Sequence, residues 1–382
     1  MYIAAPQIFD GEYFHIGMAL HVEGDSVCDI LPADEVPAGE ECLTFENGTL
    51  APGLIDLQVN GGGGVLLNES PCTDSISTIV AAHRQCGTTS LMPTLISDTS
   101  DTARLAVTAV SQMIEKGESA VLGIHLEGPF FNPHKRGIHS QTMLRGMDED
   151  DIAWIETLSP LKVLLTLAPE TCKPEHITRL SAAGIRICAG HTDASFEEML
   201  AAFDGGVVGV THLYNAMGAL QSRAPGAVGA ALLHPDSWAG IIADGHHVHP
   251  AAIALAHRMK PSGKLILVSD SMSTVGSPQQ SFTLNGRTIR LEQGKLTDSE
   301  GTLAGSAISL LEAVQYAHEV VGLALDECLR MASLYPAACL ALEDRLGKLA
   351  PGYRADLMLF DDDYTVTDTW LAGEHQSHTN SL

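Results

Sequence analysis

Cationic side chains are scarce in this 382-residue chain: 21 lysines and arginines stand against 47 aspartates and glutamates, a formal charge of −26. That shortage argues against a general nucleic-acid binder, because a phosphate backbone demands clustered positive charge. An anionic small molecule needs only a local patch and stays open. Apolar runs long enough to span a bilayer are absent, and no basic leader precedes a hydrophobic segment at the start. The eight cysteines, at 28, 42, 72, 86, 172, 188, 328 and 339, include no Cys-x-x-Cys pair. In a chain this long they read as reduced thiols rather than a disulfide frame, so a cytoplasmic location is expected. There is no Gly-x-x-x-x-Gly-Lys-Ser cradle for nucleotide phosphates and no Gly-x-Ser-x-Gly elbow for a serine hydrolase. The run Gly61–Gly64 lacks the strand-turn-helix setting of a dinucleotide fingerprint and reads as backbone passing close to a site.

What is present is a large apolar fraction, 45%, with 36 glycines, enough for a big core and many tight turns. Residues 1–49 alternate short apolar stretches with reversals at Asp10-Gly11, Glu23-Gly24-Asp25 and Asn47-Gly48. The tail from Gly352 behaves alike, with strands expected at 355–360 and 364–371 around a turn at Asp361–Asp363. Between the ends, eight strand-like stretches recur at 54–59, 88–95, 121–126, 162–167, 185–189, 207–211, 238–243 and 265–269. Helical patterns separate most of them, including 193–203 and 250–259. Eight strands, each followed by a helix, is the number that closes a barrel. The predicted fold is therefore α/β: a (β/α)8 TIM-like barrel over residues 51–342, with a small β-sandwich-like domain built from both chain ends, 1–50 and 343–382. The glycine-rich stretch 283–305 is expected to add strands and a covering loop.

Polar residues collect at the C-terminal ends of these strands, the face where such barrels gather catalytic groups. Glu127, His191 and His212 follow the third, fifth and sixth stretches. A carboxylate and two imidazoles that leave a position open form a catalytic zinc set. Capping or core histidines and a surface acid are the alternative. Asp270, after the eighth stretch, suits taking a proton from an attacking water and returning it to a leaving amine; a helix cap is the other reading. His139 closes a loop with His134, Lys135 and Arg136, where an imidazole donor could hold an oxyanion. A solvated basic loop is the alternative there. His247, Asn215 and Arg223 form the obvious patch for a phosphate, with plain solvent exposure as the competing account of Arg223.

Several motifs together carry a family resemblance: Ala51-Pro52-Gly53-Leu54-Ile55-Asp56, His125-Leu126-Glu127-Gly128-Pro129, Ala189-Gly190-His191, Thr211-His212-Leu213-Tyr214-Asn215-Ala216-Met217 and Ala243-Asp244-Gly245-His246-His247. They resemble the amidohydrolase superfamily and, within it, the N-acetylglucosamine-6-phosphate deacetylases, over essentially the whole chain. The resemblance implies hydrolysis of the acetamide of N-acetyl-D-glucosamine 6-phosphate to glucosamine 6-phosphate and acetate. It implies metal ligation by Glu127, His191 and His212, acid/base work by Asp270, and carbonyl polarisation by His139. It implies substrate or phosphate contacts by His247, Asn215 and the Ala216 backbone. It also implies a homodimer in which Arg223 reaches the phosphate of the neighbouring subunit. Where many superfamily members carry His-x-His in the first strand, this chain reads Leu57-Gln58-Val59-Asn60. That departure matches a single-metal branch, so one divalent ion, zinc foremost, is expected, with Gln58 holding water or supporting a ligand. Ser269-Asp270-Ser271 and His246 depart from the commoner family pattern beside the sugar. The alternatives are the N-acetylgalactosamine 6-phosphate epimer, another amide hydrolase on the same barrel, and a non-enzymatic binding protein with a relict site.

Overall fold

The structure is a computed structural model, and it describes residues 1–378. The eight expected stretches all form strands: β1 (Leu54–Val59), β2 (Thr88–Ile96), β3 (Ile124–Glu127), β4 (Val163–Leu167), β5 (Arg186–Ala189), β6 (Val207–Val210), β7 (Trp238–Ile241) and β8 (Leu265–Leu267). They pair in sequence order, each parallel to the next, as a single eight-stranded sheet. Strands of a parallel sheet packed on both faces lose the usual polar alternation. Accordingly, every residue of β1, β2, β3 and β4 is buried.

The seam between β8 and β1 is closed by the bridge Val59 to Ser271 and by side chains, among them Ser269, whose Oγ donates to the Gln58 carbonyl at 3.3 Å, and Asp56. The Asp56 carboxylate accepts the backbone N–H of Gln58 at 3.1 Å and of Ser269 at 3.3 Å, tying the last strand to the first. Burial pushes that carboxyl up to about 6 against these hydrogen bonds.

Helices return the chain along the outside of the barrel, among them α1 (Thr73–Arg84), α2 (Ser100–Glu115), α3 (Glu149–Glu156), α4 (Pro174–Ala182), α5 (Phe196–Asp204), α6 (Gly226–Leu233), α7 (Pro250–Met259) and α8 (Leu310–Glu319). The helix expected from 193 begins at Phe196. Ser195 and Glu198 form a reciprocal capping box that fixes the start there.

Both chain ends meet in two small sheets. One orders 26–32, 18–23, 2–4 and 42–44; the other orders 374–377, 366–371, 357–360, 49–52, 7–9 and 14–16. Ile3, Ile8, Leu20, Leu50, Leu357 and Trp370 fill the core between them. The strand at Glu374–Ser377 was not expected from its polar sequence, and it is exposed throughout. A three-stranded antiparallel sheet, Ser281–Leu284, Arg287–Glu292 and Lys295–Thr297, follows the eighth strand. It packs Leu284, Ile289 and Leu296 with Leu66, Ile96 and Met272 beside the barrel mouth. All eight cysteines are free thiols, and no helix among the described residues is long and apolar enough to cross a membrane.

Candidate active site at the barrel mouth

The strand ends deliver their polar residues to one cavity of about 380 Å³. Glu127 is the last residue of β3, while His191, His212 and Asp270 follow β5, β6 and β8 within three residues. His191, His212 and Asp270 take left-handed backbone at φ 50°, 35° and 51°. For side chains with a Cβ this costs on the order of 1–3 kcal/mol each, and such residues gather where a site imposes direction. Gly128 also has positive φ, +95°, and a Cβ there would lie 2.2 Å from Ser97 Oγ. Only glycine lets the chain turn away from Glu127 at that point.

Three donor atoms converge. His212 Nε2 lies 3.0 Å and His191 Nε2 3.3 Å from Glu127 Oε1, and the two imidazole nitrogens are 3.0 Å apart. His191 Nδ1 is 2.9 Å from the Lys135 carbonyl, to which it must donate, so its Nε2 presents a bare lone pair to the cluster. Phe131 stacks on the same ring at 4.3 Å and fixes its plane. Burial alone would raise the Glu127 carboxyl, but the His191 and His212 imidazoles set against it outweigh burial and hold the group well below its ordinary range. His191 is lowered by burial, whereas Glu127 reverses the effect of burial at His212 and raises it. His212 Nδ1 is buried with no partner. A carboxylate oxygen and two ring nitrogens facing one another fit a divalent cation. His139 stands beside the cluster: Glu127, His139 and His191 also offer donor atoms within 4.8 Å of one another.

Asp270 is held by two amides. Gln58 Nε2 donates to Asp270 Oδ1 at 3.0 Å and to Glu127 Oε2 at 3.2 Å, and Asn60 Nδ2 donates to Asp270 Oδ1 at 2.7 Å. Burial, followed by the negative charge of Glu127, lifts the Asp270 carboxyl to about 7. His139 Nδ1 accepts the Ser97 backbone N–H at 3.3 Å and lies 2.8 Å from Ser97 Oγ. An N–H can only donate, so Nδ1 carries the lone pair and the proton resides on Nε2. Burial and the neighbouring His191 keep this imidazole neutral by holding it well below its ordinary value.

On the far wall, Asp244 Oδ2 accepts a hydrogen bond from His247 Nδ1 at 2.6 Å, and its other oxygen accepts the N–H groups of His246 and His247. Asn215, Ala216 and Lys135 complete that side of the cavity. Lys135 is tethered to Asp193 at 3.2 Å.

The structure thus brings together nearly all the residues singled out in the sequence. Arg223 lies apart: it is exposed in the turn bridged by Gln221 and Ala224 and does not line the cavity of its own chain. Three supporting residues had been given no role. Asn60 was recoverable, since its place two residues after Gln58 puts both on one side of an extended strand. Ser97 had no such signal, because its contact with His139 depends on the fold, whereas Asp244 was marked only by standing three residues before His247.

A parallel eight-stranded barrel with a carboxylate–bis-imidazole cluster at its C-terminal mouth defines a metal-dependent hydrolase architecture. The amidohydrolase family matches residues 49–375, and the chain belongs to that family. Among its relatives, an N-acetylgalactosamine-6-phosphate deacetylase from Shewanella sp. (strain ANA-3) is 43% identical over 93% of this chain and 91% of its own length. An N-acetylglucosamine-6-phosphate deacetylase from Haemophilus influenzae is 32% identical over 93% of this chain and 94% of its own. The crystal structure of N-acetylglucosamine-6-phosphate deacetylase from Pasteurella multocida superposes with a TM-score of 0.96 at 33% identity, covering 98% of this chain and 99% of that one.

Proposed function

We propose that this chain is a metal-dependent deacetylase that hydrolyses the acetamide of N-acetyl-D-glucosamine 6-phosphate to glucosamine 6-phosphate and acetate. The observation that carries this reading is the meeting of Glu127, His191 and His212 within 3.3 Å, with Asp270 joined to Glu127 through Gln58. The galactosamine epimer is the second reading, favoured by the 43% identity to the Shewanella enzyme.

Glu127, His191 and His212 would hold one divalent ion, zinc by the chemistry of the set. When bound, that ion supplies a Lewis acid that acidifies water and polarises the acetamide carbonyl. Asp270 takes the proton as the water oxygen bonds to the carbonyl carbon. The two amides on its Oδ1 turn the other oxygen toward that task, and a carboxyl near 7 both accepts and returns a proton readily. His139 stabilises the developing oxyanion by a hydrogen bond from Nε2–H, keeping its proton. Asp270 then protonates the sugar nitrogen as the carbon–nitrogen bond breaks.

His247, fixed by Asp244, binds the sugar with Asn215 and the Ala216 backbone. Arg223 neutralises the phosphate of a second copy's substrate, an assignment that agrees with its exposure and its absence from the lining of its own cavity; the working unit is then a homodimer. Free thiols throughout agree with a cytoplasmic enzyme.

The test is acetate release from the two epimeric N-acetylhexosamine 6-phosphates by the metal-loaded protein. Turnover of one or both is expected. No release from either would remove the deacetylase reading.

A further inference from the structure

The terminal sheets carry a second set of metal-type donors, remote in kind from the barrel cluster because it contains sulfur. His21 and Glu23 alternate around buried Val22 on the strand Met18–Glu23, so both point to the outer face. The partner strand Ser26–Pro32 pairs His21 with Asp29 and Val22 with Val27, leaving Cys28 as an extra residue. Such a bulge turns two successive side chains of one strand toward the face of the single residue they oppose. Val27 goes into the core, and Cys28 is delivered outward beside His21.

The result is a thiol, an imidazole and a carboxylate whose donor atoms lie within 4.8 Å of one another. His21 Nε2 is 3.6 Å from Glu23 Oε1. Tyr2, opposite His21 on the neighbouring strand, stacks on its ring at 4.4 Å and 9°, which fixes the ring plane before any ligand arrives. Two of the three groups are half-buried and Glu23 is exposed, so the cluster is open to solvent on one side. Cys28 has no disulfide partner.

We propose that His21, Glu23 and Cys28 form a second divalent-metal site, separate from the barrel, with its remaining positions open to water. Thiolate with imidazole and carboxylate selects borderline-soft ions such as zinc, cobalt and cadmium, and disfavours magnesium and calcium, which prefer all-oxygen shells. The site does not rest on the deacetylase reading.

Cobalt(II) titration of the full chain tests it, because a sulfur-to-cobalt charge-transfer band cannot arise from the oxygen and nitrogen donors of the barrel cluster. The expected result is one sulfur-bound cobalt per chain. C28S abolishes the band, and H21A weakens cobalt binding at that site by more than about tenfold. C42S and C72S, at the two exposed thiols, retain the band. Acetate release by C28S is expected to equal that of the wild-type chain. A wild-type protein without the band, or a band that survives C28S, overturns the proposal.

Discussion

Acid sensitivity traceable to a single buried imidazole offers a quantitative test of the packing around the site. His83 on α1 is fully buried; its Nε2 donates to the Gly61 carbonyl at 2.9 Å and lies 3.3 Å from Ser271 Oγ. Its Nδ1 is buried without a partner, so a second proton there would find no acceptor. Burial therefore lowers the imidazole from 6.5 to about 4, against the opposing hydrogen bond to Gly61. The folded state resists protonation while the unfolded chain accepts it, so stability is lost as pH falls below about 6.5. The loss is about 2 kcal/mol by about pH 5, and about 3 kcal/mol once both states have titrated. His83→Gln keeps a donor for Gly61 but cannot titrate. Urea unfolding of both proteins, with chelator present so that no cation binding enters the balance, is compared at about pH 8 and pH 5. The wild-type chain is expected to lose about 2 kcal/mol more than H83Q between the two conditions. Parallel losses would refute the burial argument and the placement of Gly61 against this ring.

Other perturbations read the chemistry itself. Asp270→Asn removes the proton acceptor while leaving the three cation ligands in place, so kcat is expected to fall about 10²–10⁴-fold with metal content unchanged. His139→Gln is expected to cost about 2–4 kcal/mol of transition-state stabilisation in kcat/KM, and an unchanged kcat/KM would remove the oxyanion role. Ser97→Ala should lower kcat more than it raises KM, because it loosens the His139 ring without touching a sugar contact. Equal changes in both would mark Ser97 as merely structural. Arg223→Ala is expected to impair the phosphorylated substrate far more than the free N-acetyl sugar under steady-state kinetics, and equal losses on both would discard its phosphate role.

How much of this was legible in the sequence follows from which forces leave a local trace. All eight barrel strands could be read because a sheet buried on both faces needs unbroken apolar runs. The polar residues terminating those runs marked the mouth, so Glu127, His191, His212 and Asp270 stood out before any coordinates. Helix α5 began later than its periodicity suggested, because a capping box rather than apolar spacing decides where a helix starts. The strand Glu374–Ser377 is held by pairing with Val366–Leu371, and its exposed residues carry no apolar signal. Ser97, Asn60 and Asp244 act by touching residues 42, 210 and 3 positions away, respectively. The separation of 210 is set by barrel closure and that of 42 by the pairing of β2 with β3, neither of which a short window of sequence reports. Asp56 is similar: its carboxylate joins strands 213 positions apart.

The central claim is that Glu127, His191 and His212 share one functional cation. It is tested most directly by stripping the C28S protein with chelator and titrating zinc back while acetate release is followed. One tight equivalent per chain is expected, with activity rising in proportion to it, and His212→Ala should lose both the tight equivalent and the activity. Full acetate release by the stripped protein, or tight binding undiminished in the His212 variant, would contradict the account.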